Sequence, residues 1–512
     1  MTERLLNTTV LICEDIDLDR QGVSQGLQEA VQGVNVHVVP NLCDRPEQIS
    51  KLAGASGAPR LVLALCHGEY AEGEVQTQAR KAGLDALGVE IVDLRVVQGP
   101  QATGKAKMLL AAAVARARAF PGSQPENAKP YRPAKVDRRS LLKFSLLTYR
   151  AVPSILESQC AADHGCKICV QICPQGALQG SDGKVQLDKT KCVSCGLCTT
   201  ACPRGAISNP ALTPGQLEAQ IRTLLAPAIG AIKPRGILFA CQRAAVPEGS
   251  CHASWFPIQI PCVGMVPPAW LLAPLILGAS AVGVLPCRGS CPLGQNETIE
   301  GRVEYCRECL RLIGAPVDII SLFPALDQPP RGDGKRVTVE DPFDHNATAN
   351  VLMRLAQGYN APSGLAVEHP LSPLGMVEIR ENSCTGCGMC AMACPTGALG
   401  FEQREDSISL TFDAALCTAC GQCLPNCPEA EHQVIHLSKA TDLEQIAQGR
   451  LPLYQIEMAR CESCGAPIAP ESMMRRIAEL LGSEYVATTG MPTRHCPSCS
   501  FMSPTKVDVE KI

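Results

Sequence analysis

The sequence predicts an α/β plus small α+β chain: two doubly wound α/β domains, two small cysteine-dense modules and a C-terminal four-cysteine knuckle. Three observations carry this. Strand-like apolar runs alternate with helical patterns before residue 120 and again from about Gly236 to Leu322; two blocks of eight cysteines keep short, regular spacings; and two C-x2-C pairs close the chain. Alternating strand and helix favours a parallel sheet with helical crossovers. Blocks rich in Cys, Gly and Pro with little periodicity are stabilised by metal rather than by an apolar core.

The 512 residues imply about three to five domains. Lys plus Arg come to 46 and Asp plus Glu to 50, a net charge of −4, which argues against a general nucleic-acid binder or a polybasic membrane anchor. Thirty cysteines stand beside only 2 Trp, 7 Tyr and 9 Phe, so thiols outnumber rings. The start, MTERLLNTTVLICED, turns acidic at once and lacks the pattern of an export signal. A reducing cytoplasm is therefore expected, where spaced thiols bind metal rather than form disulfides. Arg138 and Arg139 precede Ser-Leu-Leu-Lys-Phe far inside the chain and read as a helix start, not a targeting signal. The uncharged stretch from Phe256 to Cys287 is broken by Pro267, Pro268, Pro274, Gly278 and Gly283, so it reads as a buried βαβ element and not a membrane span.

In chain order, residues 1–119 form the first α/β domain, with strands at TVLIC, VNVHVV, RLVLALC and VEIVDL. Residues 120–150 are a Pro- and Lys-rich linker, and 151–210 the first cysteine module. The second α/β domain spans 235–322. A linker and helix follow over 323–375, with DQPPRGDGKR as a flexible joint; the second cysteine module covers 376–440 and the four-cysteine tail 453–512.

Residues 384–395 read CTGCGMCAMACP and 417–428 read CTACGQCLPNCP, each with the spacing C-x2-C-x2-C-x3-C-P. That spacing is the signature of paired [4Fe–4S] clusters in which the fourth cysteine of each run ligates the other run's cluster. It assigns Cys384, Cys387, Cys390 and Cys427 to one cluster, and Cys417, Cys420, Cys423 and Cys394 to its neighbour. The earlier block opens with a five-residue gap, which lengthens a loop without removing a ligand. It gives Cys160, Cys166, Cys169 and Cys202, then Cys192, Cys195, Cys198 and Cys173. CPQGAL, CPRGAI and CPTGAL repeat one phrase at fourth cysteines, so the two blocks look like copies. Each resembles the bacterial two-cluster ferredoxins, which implies four [4Fe–4S] clusters. Cubes held by four thiolates have no open iron for Lewis-acid chemistry; they carry electrons.

In the second α/β domain Cys241, Cys262, Cys287 and Cys291 follow or end apolar runs, at the carboxyl edge where such folds place sites. The strand ending at Cys241, C-x-G at Cys262–Gly264, C-x-G-x-C at Cys287–Cys291 and G-x-N at Gly294–Asn296 resemble the delta (iron–sulfur) subunit of methyl-viologen-reducing hydrogenases. That resemblance implies one [2Fe–2S] cluster on these four thiols, although Ala244 stands where that family has a further cysteine. Two other readings stay open, a metal or cluster using Cys306 and Cys309, or plain buried thiols.

Cys13, Cys43 and Cys66 fall at or after the ends of three strands of the first domain, with Asp44 and His67 beside them. They resemble the amino-terminal domain of the flavin-bearing subunit of heterodisulfide reductase, which implies a further [4Fe–4S] cluster, but Asp15 and the segment DLRVVQG stand where that family's other thiols belong. A cluster with a non-cysteine fourth ligand and buried structural thiols are the two readings. In the tail, Cys461-x2-Cys464 and Cys496-x2-Cys499 form a four-thiolate, zinc-ribbon-like knuckle around the helical run SMMRRIAELLG. Structural Zn2+ is expected, with a rubredoxin-like single iron as the alternative.

No G-x-G-x-x-G opens either α/β region and no G-x4-G-K-[ST] occurs, so neither a dinucleotide nor a nucleotide-hydrolysing site is expected, and nothing corresponds to the flavin-binding body of that heterodisulfide reductase family. His67, His164 and His252 lie near cysteines without an assigned role. The domain order, with CTACGQCLPNCPE and MARCESCGAPI…HCPSC, resembles the long ferredoxin-type proteins that accompany bacterial formate dehydrogenases. The expected function is a non-catalytic electron-transfer subunit. Its partner would be a formate dehydrogenase, hydrogenase or heterodisulfide reductase-like oxidoreductase, and its carrier a ferredoxin or similar protein. The alternative is an iron–sulfur redox sensor or a maturation protein for a molybdenum or tungsten enzyme.

Overall fold

The computed structural model describes residues 7–66, 72–122, 130–131, 148–149, 151–244, 246, 251–287, 289, 291–361, 364, 366–481 and 495–502. Arg138, Arg139, His67 and most of the expected 120–150 linker lie outside them. The chain divides into two compact units, Met1–Cys160 with Lys167–Pro362, and Ala161–Cys166 with Ser363–Ile512.

In the first unit, strands Thr8–Cys13, Val34–Val39, Arg60–Leu65 and Val89–Asp93 form a parallel sheet in spatial order second, first, third, fourth. Thr8–Cys13 is buried along its length, as a central parallel strand covered on both faces must be. Helices Arg20–Ala30, Glu47–Ser56 and Glu72–Lys81 connect these strands; Asp19 caps the first by accepting from Gly22 N. Helix Ala102–Ala119 is Ala-rich, the composition that lets a helix be buried on several sides at once. It packs against the sheet, helix Arg20–Ala30 and helix Pro214–Leu225. On it, Lys105 is fully buried; its Nζ donates to Val96 O and His252 O at 3.3 Å and lies 3.9 Å from Cys251 Sγ. Burial pulls this ammonium below the ordinary lysine value, and Cys251 opposes the pull.

A second four-stranded parallel sheet, from Gly236–Cys241, Trp255–Ile260, Ala281–Leu285 and Ile320–Leu322, repeats the order second, first, third, fourth. The uncharged stretch expected as βαβ lies as strand, helix Pro268–Ile276 and strand, with the helix wholly buried. No helix among the described residues is long and apolar enough to cross a membrane.

DQPPRGDGKR, expected as a flexible joint, instead packs on this domain. Gly332, at φ +146°, passes so close to Ser280 that a Cβ would sit 2.1 Å from its carbonyl oxygen. Leu277 pairs with Arg336, and Val337 N donates to Ile276 O at 2.8 Å. Helix Thr348–Gly358 packs on Pro268–Ile276. Here the glycines serve close backbone approach, which composition alone reads as mobility.

The first cysteine module adds a hairpin, Leu178–Ser181 with Lys184–Leu187, and the short pair Ser154–Ile155 with Ile207–Ser208. Asn346 Nδ2 donates to Pro203 O at 3.0 Å, fastening the module to the same unit.

In the second unit, Met376–Ile379 pairs with Ile435–Ser438, and Leu399–Gln403, Ser407–Asp413, Arg450–Arg460 and Pro467–Pro470 form an antiparallel sheet in that order. The sequence sets the tail apart from the second cysteine module; the fold joins them through the pairing of Ser407–Asp413 with Arg450–Arg460.

Candidate metal centres

Three of the C-x2-C-G loops share one backbone device. The residues on either side of the second cysteine have positive φ: Ser194 and Gly196 at 57° and 78°, Gly386 and Gly388 at 70° and 74°, Ala419 and Gly421 at 49° and 71°. Left-handed residues turn backbone N–H groups inward to make an anion-binding concavity. The Leu197 N–H accordingly reaches Cys195, Gly386 reaches Cys384, Ala419 reaches Cys417 and Gln422 reaches Cys420. Ala177 N donates to Cys173 Sγ and Ala206 N to Cys202 Sγ, both at 3.3 Å. Donors aimed at sulfur suit anionic, cluster-bound thiolates.

The fourth cysteines sit among the other run's thiols. Cys427 acts electrostatically on Cys384 and Cys390 and is itself acted on by Cys387. Cys394 acts on Cys417, Cys420 and Cys423, and Cys173 acts on Cys195 and Cys198. Burial, then neighbouring sulfur, pushes Cys198, Cys390 and Cys423 up to about 12. A cation must offset that cost before these groups act as thiolates. Cys169, Cys198 and Cys202 share a buried cluster with Cys160 and Cys173 against it, while Cys166 belongs to the stretch Ala161–Cys166 of the other compact unit.

In the second sheet Cys241 Sγ and Cys287 Sγ are 3.4 Å apart. Burial and Cys241 push Cys287 up to about 12, and burial takes Cys262 to about 11 although it accepts from the Gly264 N–H. Cys291 goes the other way. Burial raises it, but N–H groups of Gln295, Leu293 and Gly294, together with the Cys287 side chain, outweigh burial and leave it below the ordinary thiol value. Cys306 and Cys309 are buried in helix Asn296–Leu312, where Cys306 Sγ lies 3.9 Å from Pro268 O and burial raises both thiols. Arg302, on the same helix, donates from Nη1 to Val266 O at 3.0 Å and to Gly264 O at 2.6 Å, holding the turn after Cys262. Sequence reasoning gave this arginine no role, because the carbonyls it meets are 36 and 38 residues away.

The turn Val263–Met265 packs against the first cysteine module. A Cβ on Gly196 would meet Met265 Sδ at 2.6 Å, and Cys195 acts electrostatically on Cys262. Spacing within either motif carries no trace of this contact.

At the carboxyl edge of the first sheet, Cys43 Sγ lies 3.3 Å from Cys66 Sγ, which lies 3.3 Å from Cys13 Sγ. Cys13 Sγ contacts Asp15 Oδ2 at 3.4 Å. Burial and the two neighbouring thiols raise Cys66. In the tail, Cys461, Cys464, Cys496 and Cys499 have all four sulfurs within 4.8 Å of one another, with Cys464 and Cys496 at 3.7 Å. A tetrahedral ion with metal–sulfur bonds of about 2.3 Å needs an edge of about 3.8 Å. Backbone donors, Cys496 N–H first, bring Cys461 down to about 6, so one ligand is already disposed to ionise.

Residues 383–431 match the family model of a 4Fe-4S dicluster domain, and 185–208 that of a 4Fe-4S binding domain. Residues 237–325 match the delta subunit of methyl-viologen-reducing hydrogenase. No curated protein matches the chain. The iron–sulfur domains and the hydrogenase delta-like domain support an iron–sulfur electron-transfer subunit.

Proposed function

We propose that this chain relays electrons through iron–sulfur centres between a partner oxidoreductase and a carrier protein. The sixteen cysteines of the two ferredoxin-type modules hold four [4Fe–4S] clusters in the crossed sets given above, Cys241, Cys262, Cys287 and Cys291 hold a [2Fe–2S] cluster, and the tail knuckle holds Zn2+. The clusters supply one-electron chemistry; the chain buries them, donates N–H groups to their sulfurs and fixes their spacing. The hydrogenase delta-like domain supports an oxidoreductase complex as the setting. The partner is a hydrogenase, a formate dehydrogenase or a heterodisulfide reductase-like protein, and the compartment a reducing cytoplasm.

The single observation that carries the reading is the seat of the Cys195–Gly196 loop on the Cys262–Met265 turn. It supports a relay in which a [4Fe–4S] cluster on Cys173, Cys192, Cys195 and Cys198 would neighbour the middle centre, these cysteines all belonging to one compact unit. Electron paramagnetic resonance of the anaerobically reduced full chain tests this. Spin–spin broadening between a cubane and the middle centre is expected, and Cys241→Ser should abolish it. Two magnetically isolated sets of signals in the unsubstituted chain would overturn the relay.

A further inference from the structure

The first sheet holds a thiol cluster that the relay does not use. Cys13 ends the first strand, Cys43 follows the second and Cys66 follows the third, and the three sulfurs lie within 4.8 Å of one another. The second sheet has the same strand order, with Cys241, Cys262 and Cys287 at the same three places. The first-to-third pairs agree closely, 3.3 Å for Cys13 and Cys66 against 3.4 Å for Cys241 and Cys287. The second-strand cysteine separates the two sheets. Cys43 closes to 3.3 Å of Cys66, whereas among the described residues no three of the second sheet's thiols lie mutually within 4.8 Å.

The same molecule supplies the scale. Thiolates on a multi-iron cluster bind different irons and are spread by them, and among the described residues the sixteen ferredoxin-type cysteines form no group of three within 4.8 Å. Donors on one tetrahedral ion crowd together, as the four tail cysteines do. The first-sheet cysteines fall with the tail.

We infer that Cys13, Cys43 and Cys66 bind a single thiophilic divalent cation of the zinc type, whose fourth ligand is not a cysteine. This replaces the [4Fe–4S] cluster that the sequence resemblance implies at these residues. The site stands apart from the relay, since it adds no redox centre. The three sulfurs come from three different strand ends, so one ion would tie together the carboxyl edge of the first sheet. Asp15 touches Cys13, but among the described residues no carboxylate or imidazole joins the three sulfurs within 4.8 Å, which leaves the fourth position to solvent.

The test is metal and labile-sulfide analysis of the full chain, purified anaerobically and supplied with Zn2+ and iron. Cys43→Ser and, separately, Cys66→Ser should each lose about one zinc with iron and sulfide unchanged, because a single-ion site contains neither. Retained cubane signals would show that the variant is folded. Loss of about four iron and four sulfide would overturn the inference in favour of a cubane. Unchanged metal content in both variants would overturn it in favour of buried thiols. Should either variant fail to fold, Co2+ substitution of the unaltered chain decides. Tetrahedral thiolate absorption equal to about two sites supports the inference and about one site, the tail alone, defeats it.

Discussion

The two parallel sheets carry cysteines at corresponding strand ends and arrange them differently. Around the second, Cys291 adds a fourth thiol, N–H groups of Leu293, Gly294 and Gln295, just before helix Asn296–Leu312, favour its ionised form, and the turn after Cys262 touches the first iron–sulfur module. Around the first, three thiols crowd together. Where Met265 stands three residues after Cys262, Pro46 stands three residues after Cys43. One topology thus carries two arrangements of thiols, and the loop residues beyond the strand ends differ between them.

The largest effect that would break this comparison is expected from replacing the first-strand cysteines, Cys241 and Cys13. Cys241→Ser should lower iron by about two per chain, the content of a [2Fe–2S] cluster. Cys13→Ser should lower zinc and leave iron alone, so equal iron losses measured in the two variants would erase the distinction. Next, Met265→Ala empties a fully buried position beside the Cys262 loop. It should cost about 2–5 kcal/mol, read as a lower midpoint in thermal melting; an unchanged midpoint would mean that the junction carries no packing.

Backbone substitutions sharpen the contrast at smaller scale. Gly332→Ala, against the second sheet at φ +146° with Ser280 O in the way, should destabilise by about 1–3 kcal/mol. Gly57→Ala, at φ +62° with open space around it in the first domain, should cost nearer about 1 kcal/mol. Urea unfolding measures both, and equal costs would remove the steric argument.

The smallest expected effect is a slope. Lys105 has a lower pKa folded than unfolded, so between its depressed value and the ordinary 10.5 the unfolded chain binds more protons. Stability from this group therefore grows as pH rises through that window and is absent below it. Lys105→Met should flatten that part of the stability–pH curve, as followed by chemical denaturation at several pH values.

Both sheets were legible because their central strands, TVLIC and GILFAC, are continuous apolar runs that only burial on two faces explains. The ferredoxin-type spacing was equally plain, since short loops around a cube allow few alternatives. What stayed hidden was nonlocal. The pairing of Arg450–Arg460 with Ser407–Asp413 joins stretches that composition separates, and a glycine pressed against Ser280 O looks in sequence like a glycine in a hinge. Cys195 and Cys262 sit in two separate motifs, neither of which mentions the other. Their relation depends on Gly196 having no side chain where Met265 arrives.

Helix Ala102–Ala119 bears on how this unit comes apart. One of its faces belongs to the core of the first sheet and another to helix Pro214–Leu225, while Lys105 reaches a carbonyl of the second α/β domain. A segment shared by two cores cannot leave one without exposing the other, so the neighbouring parts are expected to melt as one cooperative block instead of opening in sequence. Partial unfolding, with its exposed sulfur and loose iron, is thereby discouraged by the same helix that closes the N-terminal domain.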